Sequence, residues 1–223
     1  MKKSLLLLAI ATLLSLSSFA QWSIGGSVGV AYNHPFLHHI KYDYYHYTGC
    51  FGPTIDFATD YQCNDRWSIT GGLSFQQKGY RLYTKSYYST TRCNDLYLSS
   101  RIMVDYSFAK RNNGEFFVDA GAFGAYWCDS YRSYRVFSGF HRYKVVEFFD
   151  NYDFKNSIGN RWEFGLIGGL GYKWHLGTKW TCFAVARYEF ALTKQYKEFE
   201  ALDFLSRNNA IVMQFGLLGK LKN

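Results

Sequence analysis

Proline is scarce in this sequence, and long apolar segments are missing after its first twenty residues. The 223-residue chain contains two prolines, whereas 21% of its residues are aromatic. This composition argues against a disordered or linker-rich chain. No stretch beyond residue 20 reaches the roughly eighteen apolar residues that a transmembrane helix needs. The sequence therefore excludes a membrane-spanning helix from residue 21 onward.

Closely paired cysteines are also missing. The chain has five cysteines, Cys50, Cys63, Cys93, Cys128 and Cys182. None of them stands in the short paired spacing that is typical of zinc sites or redox motifs. We therefore expect no metal and no cofactor to be bound through these thiols.

The first twenty residues have the organisation of a secretory signal peptide. Lys2 and Lys3 form a basic start, an apolar core covers 5–16, and the small residues Ser18 and Ala20 flank Phe19 as in a cleavage site. The core is too short to span a bilayer. The sequence thus predicts a signal peptide over 1–20 and one exported domain over 21–223.

Eight segments of the exported domain alternate large apolar residues with small or polar ones. In the first segment, for example, Trp22, Ile24 and Val28 share one face, and Ser23 and Ser27 share the other. Such alternation predicts β-strands. The predicted strands cover 22–32, 51–61, 67–76, 95–108, 116–127, 162–174, 180–190 and 210–221.

The spacers between these strands alternate in length. The spacers at 62–66, 109–115 and 175–179 are short, whereas those at 33–50, 77–94, 128–161 and 191–209 are long. This rhythm is typical of an up-and-down barrel with tight turns at one rim and loops at the other. We therefore predict an all-β fold, an eight-stranded antiparallel up-and-down transmembrane β-barrel.

The charges and tryptophans of the strands favour a membrane barrel over a soluble, lipocalin-like barrel. Charged residues would be costly in an apolar ligand cavity but can pair inside a polar lumen. All six tryptophans lie at strand ends, as expected of interfacial aromatic girdles. The less apolar strand face carries Asp56, Asp60, Arg101, Asp105, Asp119, Glu163, Lys173, Arg187 and Glu189.

Two of the cysteines are candidates for a disulfide. If the fourth and fifth strands pair about a turn near Arg111 and Asn112, Cys93 falls almost opposite Cys128. An exported protein sits in a compartment that permits disulfides. The alternative is that all five cysteines are unpaired.

Basic residues interleaved with tyrosines gather in the second and third long loops. Their candidate binding residues are Arg81, Lys85, Arg132 and Arg135, and Lys78 adds a further cation to the second loop. Such a surface suits the anionic sugars and phosphates of lipopolysaccharide, or an envelope protein. The alternative is a solvated rim with aromatic anchors in the membrane lipids. A nucleic-acid partner is not expected for an exported barrel.

Histidines give little support for an enzyme. His34, His38, His39 and His46 share the first long loop, where a metal site and a solvated, tyrosine-rich loop are the alternatives. The chain lacks a His-x-Ser arrangement at a strand end, the pattern expected of an envelope-lipid hydrolase or acylase. We therefore expect no catalytic residues, with a lipid-modifying enzyme as the weaker alternative.

The second half of the chain resembles a known family. The stretches that carry the resemblance are DLYLSSRIMVDYSFAKRNNGEFFVDAGAFGAYW, EFGLIGGLGYKW, FAVARYEFALTK and NNAIVMQFGLLGKL, in that order. They are similar to the small eight-stranded outer-membrane barrels of the PorT-like family. The resemblance implies the barrel fold and the outer membrane of a Gram-negative bacterium, and it assigns no catalytic residue. Because some relatives serve a secretion apparatus, it also implies an accessory subunit as an alternative role.

Overall fold

Antiparallel strands form a closed ring in the computed structural model, with one further strand outside the ring. The structure describes residues 21–38, 45–84, 89–111, 113–138, 144–151, 159–195 and 205–221. The predicted signal peptide lies outside these ranges and stays a prediction. Within them, no helix has the length and apolar character to cross a membrane.

Nine strands make up the described fold. They are β1 (Gln21–His38), β2 (Tyr45–Gln62), β3 (Trp67–Thr84), β4 (Ser89–Arg111), β5 (Gly114–Ser138), β6 (Lys144–Asn151), β7 (Trp162–Leu176), β8 (Trp180–Ala191) and β9 (Leu205–Lys220). Each ring strand pairs with its neighbours in the chain, except that β6 is bypassed by the pairing of β5 with β7. The pairing of β1 with β9 closes the ring. The predicted eight-stranded up-and-down barrel is therefore confirmed.

The register of the pairs fixes how far the strands tilt. Cross-strand partners followed once around the ring from Ser23 return to β1 at Asn33, ten residues further along. For eight strands spaced about 4.8 Å apart, with about 3.3 Å per residue, this offset corresponds to a tilt of about 40°. A ring of this size is only wide enough for side chains to fill it.

The two faces of the ring differ sharply in polarity. Outward-facing positions carry exposed large apolar residues, such as Ile24, Phe57 and Leu73, which form a belt around the barrel. Inward-facing positions carry buried polar and charged residues. This is the arrangement expected of a barrel with lipid outside and a polar lumen inside.

Glycine makes room in the lumen where large side chains cross. A Cβ atom at Gly169 on β7 would lie 2.6 Å from Cγ of Arg187 and 2.8 Å from Oδ1 of Asp119. Gly177, in the turn between β7 and β8, has a backbone φ of 69°, a conformation that favours glycine. These two glycines therefore serve packing and turn geometry respectively.

The strands extend further than their alternation predicts. The turns 63–66 and 177–179 match the predicted short spacers, but β1 to β5 run far into the regions predicted as long loops, and β6 lies wholly within one of them. The cause is that a strand beyond the membrane need not alternate apolar with polar residues, because lipid no longer covers one face. The strands therefore continue to pair through their backbones although the sequence no longer alternates apolar with polar residues.

One tryptophan does not belong to a girdle. Trp127 is fully buried and stacks on Tyr97 inside the lumen, with ring centroids 6.0 Å apart. The other five tryptophans are exposed at the strand ends. The prediction that all six serve as interfacial anchors is therefore wrong for Trp127, because position 127 has the inward parity of β5.

The predicted bridge between Cys93 and Cys128 is also wrong. Both thiols are free, and the partner of Cys93 on β5 is Arg132. The β4–β5 turn lies one residue beyond the position assumed, which moves each cross-strand partner by two residues, whereas the register irregularities between Ser107 and Ala109 and next to Cys128 cancel each other. Four residues along a strand amount to about 13 Å, well beyond the Cα separation of a disulfide.

Candidate functional site

The lumen holds three layers of paired charges, stacked between the rim with the short turns (the turn end) and the opposite rim (the loop end). In the middle layer, Arg101 and the Gln214 amide both donate to Asp56. Arg187 donates from Nε to Oδ2 of Asp119 at 2.7 Å and from Nη1 to Oε1 of Gln214 at 2.8 Å. These five buried side chains form one network across the barrel.

The turn-end layer is organised around Lys173. Its ammonium lies 3.2 Å from Oδ2 of Asp105 and 3.7 Å from Oδ1 of Asp60. The Thr70 hydroxyl is 3.0 Å from both carboxylates. Between this layer and the middle one lies a cavity of about 20 Å³, which is space for about one water molecule.

The loop-end layer is organised around Lys78. Its ammonium is 2.6 Å from Oε1 of Glu163 and 3.3 Å from Oε2 of Glu189. It also lies over the rings of Tyr97 and Phe123, 5.3 and 5.2 Å from their centroids. With 2% of its surface exposed, Lys78 is a lumen residue. The prediction that it belongs to an external basic loop is therefore wrong, and its charge is shared between the two glutamates instead.

Polar side chains form a hydrogen-bonded group in the lumen above Lys78. The Gln195 amide donates to Asp95 at 2.9 Å and to the Tyr97 hydroxyl at 3.3 Å. Asn208 donates to the same hydroxyl at 2.9 Å, and the Ser130 hydroxyl donates to Asp95 at 2.6 Å. Gln195 reaches this position because the chain after β8 folds over the rim and hydrogen-bonds through its backbone to Asn160.

Asp95 has an unusual environment for a carboxyl group. It lies one residue beyond Leu96, the exposed apolar residue at the loop-end margin of the belt on β4. Burial raises the pKa of the Asp95 carboxyl to about 6. The hydrogen bonds from Ser130 and Gln195 lower this pKa, but burial has the larger effect. The loop end of the lumen is therefore sensitive to mild acid.

Sequence patterns indicated most of the lumen charges but missed several of their partners. The predicted charges are inward-facing and buried, and the three layers bring them together. In the middle layer, the ion pairs Asp56–Arg101 and Asp119–Arg187 are joined through Gln214. Lys78, Gln195 and Asn208 were missed as lumen residues. Lys78 and Asn208 carried a usable signal, because they continue the inward parity of Gln76 on β3 and of Gln214 on β9, whereas Gln195 lies outside the strands.

Beyond the belt, the barrel continues at the loop end as an extension of strands β2 to β6. On its outward side, Arg81 of β3 and Arg92 of β4 are direct cross-strand partners and both are exposed. Arg92 also donates from Nε to the Asn94 side chain at 3.2 Å. Two guanidinium groups thus stand side by side on adjacent strands, although like charges in directly opposite positions destabilise a sheet.

The four predicted binding residues do not form one surface. Arg81 and Arg135 are exposed, whereas Arg132 is half-buried and has the inward parity of Ser130. In register, Arg132 is opposite Asp150 and Arg135 is opposite Glu147 of β6. Lys85 lies outside the described residues. The basic surface is therefore centred on Arg81 and Arg92.

This arginine pair lies just above the lipid headgroups. Arg92 is four residues beyond Leu96, an exposed apolar residue of β4. At about 3.3 Å per residue and a tilt of about 40°, this places it about 10 Å above the belt. The polar interface on each side of the hydrocarbon core is about 5–8 Å thick, so the pair lies just beyond it.

A metal centre is not evident among the side chains that the structure describes, which contain no group of three or more His, Cys, Asp or Glu residues arranged to hold an ion. Of the four clustered histidines, His39 lies outside the described ranges. His34 is exposed on β1, where its ring stacks on Tyr32 with centroids 6.4 Å apart.

Comparisons with known proteins agree with the fold. A family model described as an outer membrane protein beta-barrel domain matches residues 17–197. The chain is similar in structure to the outer membrane protein OprG from Pseudomonas aeruginosa, with a TM-score of 0.53, 13% identity, and coverage of 92% of this chain and 96% of OprG. It is also similar to a major outer membrane protein from Thermus thermophilus, with a TM-score of 0.50, 11% identity, and coverage of 91% and 99%. No curated protein sequence matches significantly.

Proposed function

Because the chain belongs to the family of outer membrane protein beta-barrel domains, we propose that it is a non-conducting barrel that binds an anionic glycolipid at its loop end. The protein is a β-barrel of the Gram-negative outer membrane. Its proposed ligand is the phosphorylated sugar region of lipopolysaccharide. The proposal assigns no enzymatic activity to the chain, and the more specific PorT-like assignment stays a prediction.

The exposed pair of Arg81 and Arg92 is the observation that carries this proposal. Arginine binds phosphate through several parallel hydrogen bonds. Two exposed guanidinium groups on paired strands offer such bonds to one phosphate or to two adjacent ones. A bound anion also relieves the repulsion between the two arginines, so their placement favours a ligand more than a merely solvated rim.

The closed lumen supports a role at the surface instead of a role in transport. Charged layers at three heights fill an interior that is no wider than its own side chains. Gln195 and Asn208 add a hydrogen-bonded cover at the loop end. The outer face of the extension is then the region through which the protein can contact its surroundings.

Binding of purified lipopolysaccharide to the protein in nanodiscs tests the glycolipid proposal. The double variant Arg81→Ser, Arg92→Ser should bind at least about tenfold more weakly, because each cation near an anionic surface contributes about 1 kcal/mol. The wild-type affinity should fall with added salt. The matched control Arg66→Ser, Lys179→Ser removes two cations from the turn end and should leave the affinity unchanged. Equal binding by wild type and the loop-end variant would refute the proposal.

A protein partner is the second candidate, as expected of an accessory subunit of a secretion complex. Within the described residues, β6 pairs on one side only, with β5. An eight-residue edge strand presents backbone groups to which a partner can add a strand. Val146→Pro in β6 should then abolish co-purification of that partner while the barrel still folds, and retained co-purification would contradict this candidate.

A further inference from the structure

The turn end of the barrel combines an aromatic girdle with a ring of cations. The girdle consists of Trp22, Trp67, Trp174 and Trp180, whose exposed fractions lie between 40% and 51%. Tryptophan at this level sits among lipid headgroups. The girdle therefore marks the depth of the headgroups in the leaflet on the turn side.

Cations outnumber acids just outside this girdle. Arg66, Lys110, Arg111 and Lys179 are exposed and Lys220 is half-buried. Among the described residues of this rim, Asp65 is an exposed acidic residue. Glu115 is buried, and its carboxylate lies 3.9 Å from the Lys110 ammonium. The rim is therefore strongly basic although the lumen behind it is rich in carboxylates.

Backbone hydrogen bonds gather these cations into two groups. The Ser107 amide donates to the Arg66 carbonyl at 2.8 Å, which brings the β2–β3 turn next to the one that carries Lys110 and Arg111. The Lys220 amide donates to the Lys179 carbonyl at 2.8 Å. Of these cations, Lys110 and Lys220 line the mouth of the lumen beside Glu115 and Lys173.

The cations adjoin the lipid face directly. Arg66 Nη1 is 3.5 Å from the Tyr106 hydroxyl, and the Tyr106 ring packs against Trp67 with centroids 4.6 Å apart. Lys179 immediately precedes Trp180 in the chain. Long basic side chains next to an aromatic girdle reach the lipid phosphates while their stems contact the apolar interface.

We infer that the turn end binds the phosphates of anionic phospholipids in the adjoining leaflet through Arg66, Arg111 and Lys179. A lipid fits better than a soluble anion or a cell-wall polymer because the cations lie at the margin of the apolar belt and are distributed around it. This site lies at the opposite end of the barrel from Arg81 and Arg92, so it does not depend on the proposed glycolipid binding.

The lipids that remain bound to the protein test this inference. Wild-type protein is assembled in nanodiscs of equal parts phosphatidylglycerol and phosphatidylcholine, released, and analysed by native mass spectrometry for retained lipids. We expect retention of phosphatidylglycerol over phosphatidylcholine by about fivefold, the factor that one cation near the surface contributes. About 0.5 M salt during assembly should reduce this preference.

Two matched triple variants separate the turn end from total charge. The variant Arg66→Ser, Arg111→Ser, Lys179→Ser should retain the two lipids almost equally. The variant Arg81→Ser, Arg92→Ser, Arg135→Ser loses the same number of cations at the loop end and should keep the wild-type preference. Heat-dependent mobility on a gel verifies that both variants fold. The inference is overturned if wild type shows no preference, or if both variants lose it to the same extent.

Discussion

Arg187 is the residue whose removal should harm the barrel most directly. Its guanidinium donates hydrogen bonds to both Asp119 and Gln214, and the ion-paired Arg187 and Asp119 are almost fully buried. Arg187→Ala leaves the Asp119 carboxylate buried without its cation, so we expect a loss of about 3–5 kcal/mol in the free energy of unfolding. Urea unfolding in lipid vesicles measures this loss.

A paired replacement separates the lost ion pair from the lost packing. In the double variant Arg187→Met, Asp119→Leu no charge is left alone, so most of the stability should return, as when buried ion pairs are replaced by apolar residues. A single variant that unfolds within about 1 kcal/mol of wild type would show that the pair contributes little.

Asp95 should make the stability of the loop end depend on pH. Because burial raises its pKa to about 6 in the folded protein, the folded state binds a proton that the unfolded state has already released. Its stabilising contribution is therefore complete below the ordinary carboxyl pKa and is lost as the pH rises through about 6. A shift of this size corresponds to at most about 3 kcal/mol.

Asp95→Asn is the variant that tests this dependence. The amide has no proton to lose, so the unfolding midpoint of this variant should vary less between about pH 4 and pH 7 than that of wild type. Ser130→Ala, which keeps the carboxyl group, serves as the control. An unchanged pH profile in Asp95→Asn would assign the dependence to another group.

Individual residues also show where sequence patterns stop being informative. The lumen positions of Arg101 and Arg187 follow from strand parity, because lipid covers the other face of the strand. Gln195 follows no parity, since it reaches the lumen from a bend after β8. Its position depends on backbone contacts with Asn160 that only the folded chain creates.

At the scale of strands, the ends and register were harder to predict than the strands themselves. All eight predicted segments fall within strands except for Leu221 at the end of the last one, because each must present apolar side chains to lipid at every second position. The register between β4 and β5 depends on where the turn falls and on two irregularities. The two irregularities cancel before Cys93, so the Cys93–Cys128 pairing failed because the turn falls one residue later than assumed.

A new disulfide can test that register. Arg132→Cys places a thiol on β5 directly opposite Cys93, where Cα atoms of antiparallel partners are about 4.5–5.5 Å apart. We expect the new thiol at position 132 to form a disulfide with Cys93 on oxidation, detected by mass spectrometry of unreduced peptides. In wild type both Cys93 and Cys128 should be recovered as free thiols. A native link between those two residues would mean that the strands pair differently.

At the scale of the whole molecule, the topology was predictable because closure of a barrel leaves few choices. Short and long spacers in alternation require an up-and-down order, and the absence of exposed sheet edges in the membrane requires the ring to close. The position of β6 was not predictable, because beyond the membrane neither constraint applies. The binding surface was predicted only in part for the same reason, since Arg132 and Arg135 face a strand that the sequence did not indicate.

The whole barrel should not conduct ions. The middle layer crosses the lumen from Asp56 and Arg101 to Asp119 and Arg187, and the layers around Lys173 and Lys78 lie on either side of it. Passage of a hydrated ion would require charges to separate in a narrow, weakly polarisable interior, which costs several kcal/mol for each ion left unpaired. We therefore expect planar bilayers with reconstituted wild-type protein to stay silent. The same sample should run faster on a gel unheated than boiled, so that silence cannot be attributed to unfolded protein. Stable, uniform current steps from such a sample would contradict the closed lumen while leaving the barrel fold intact.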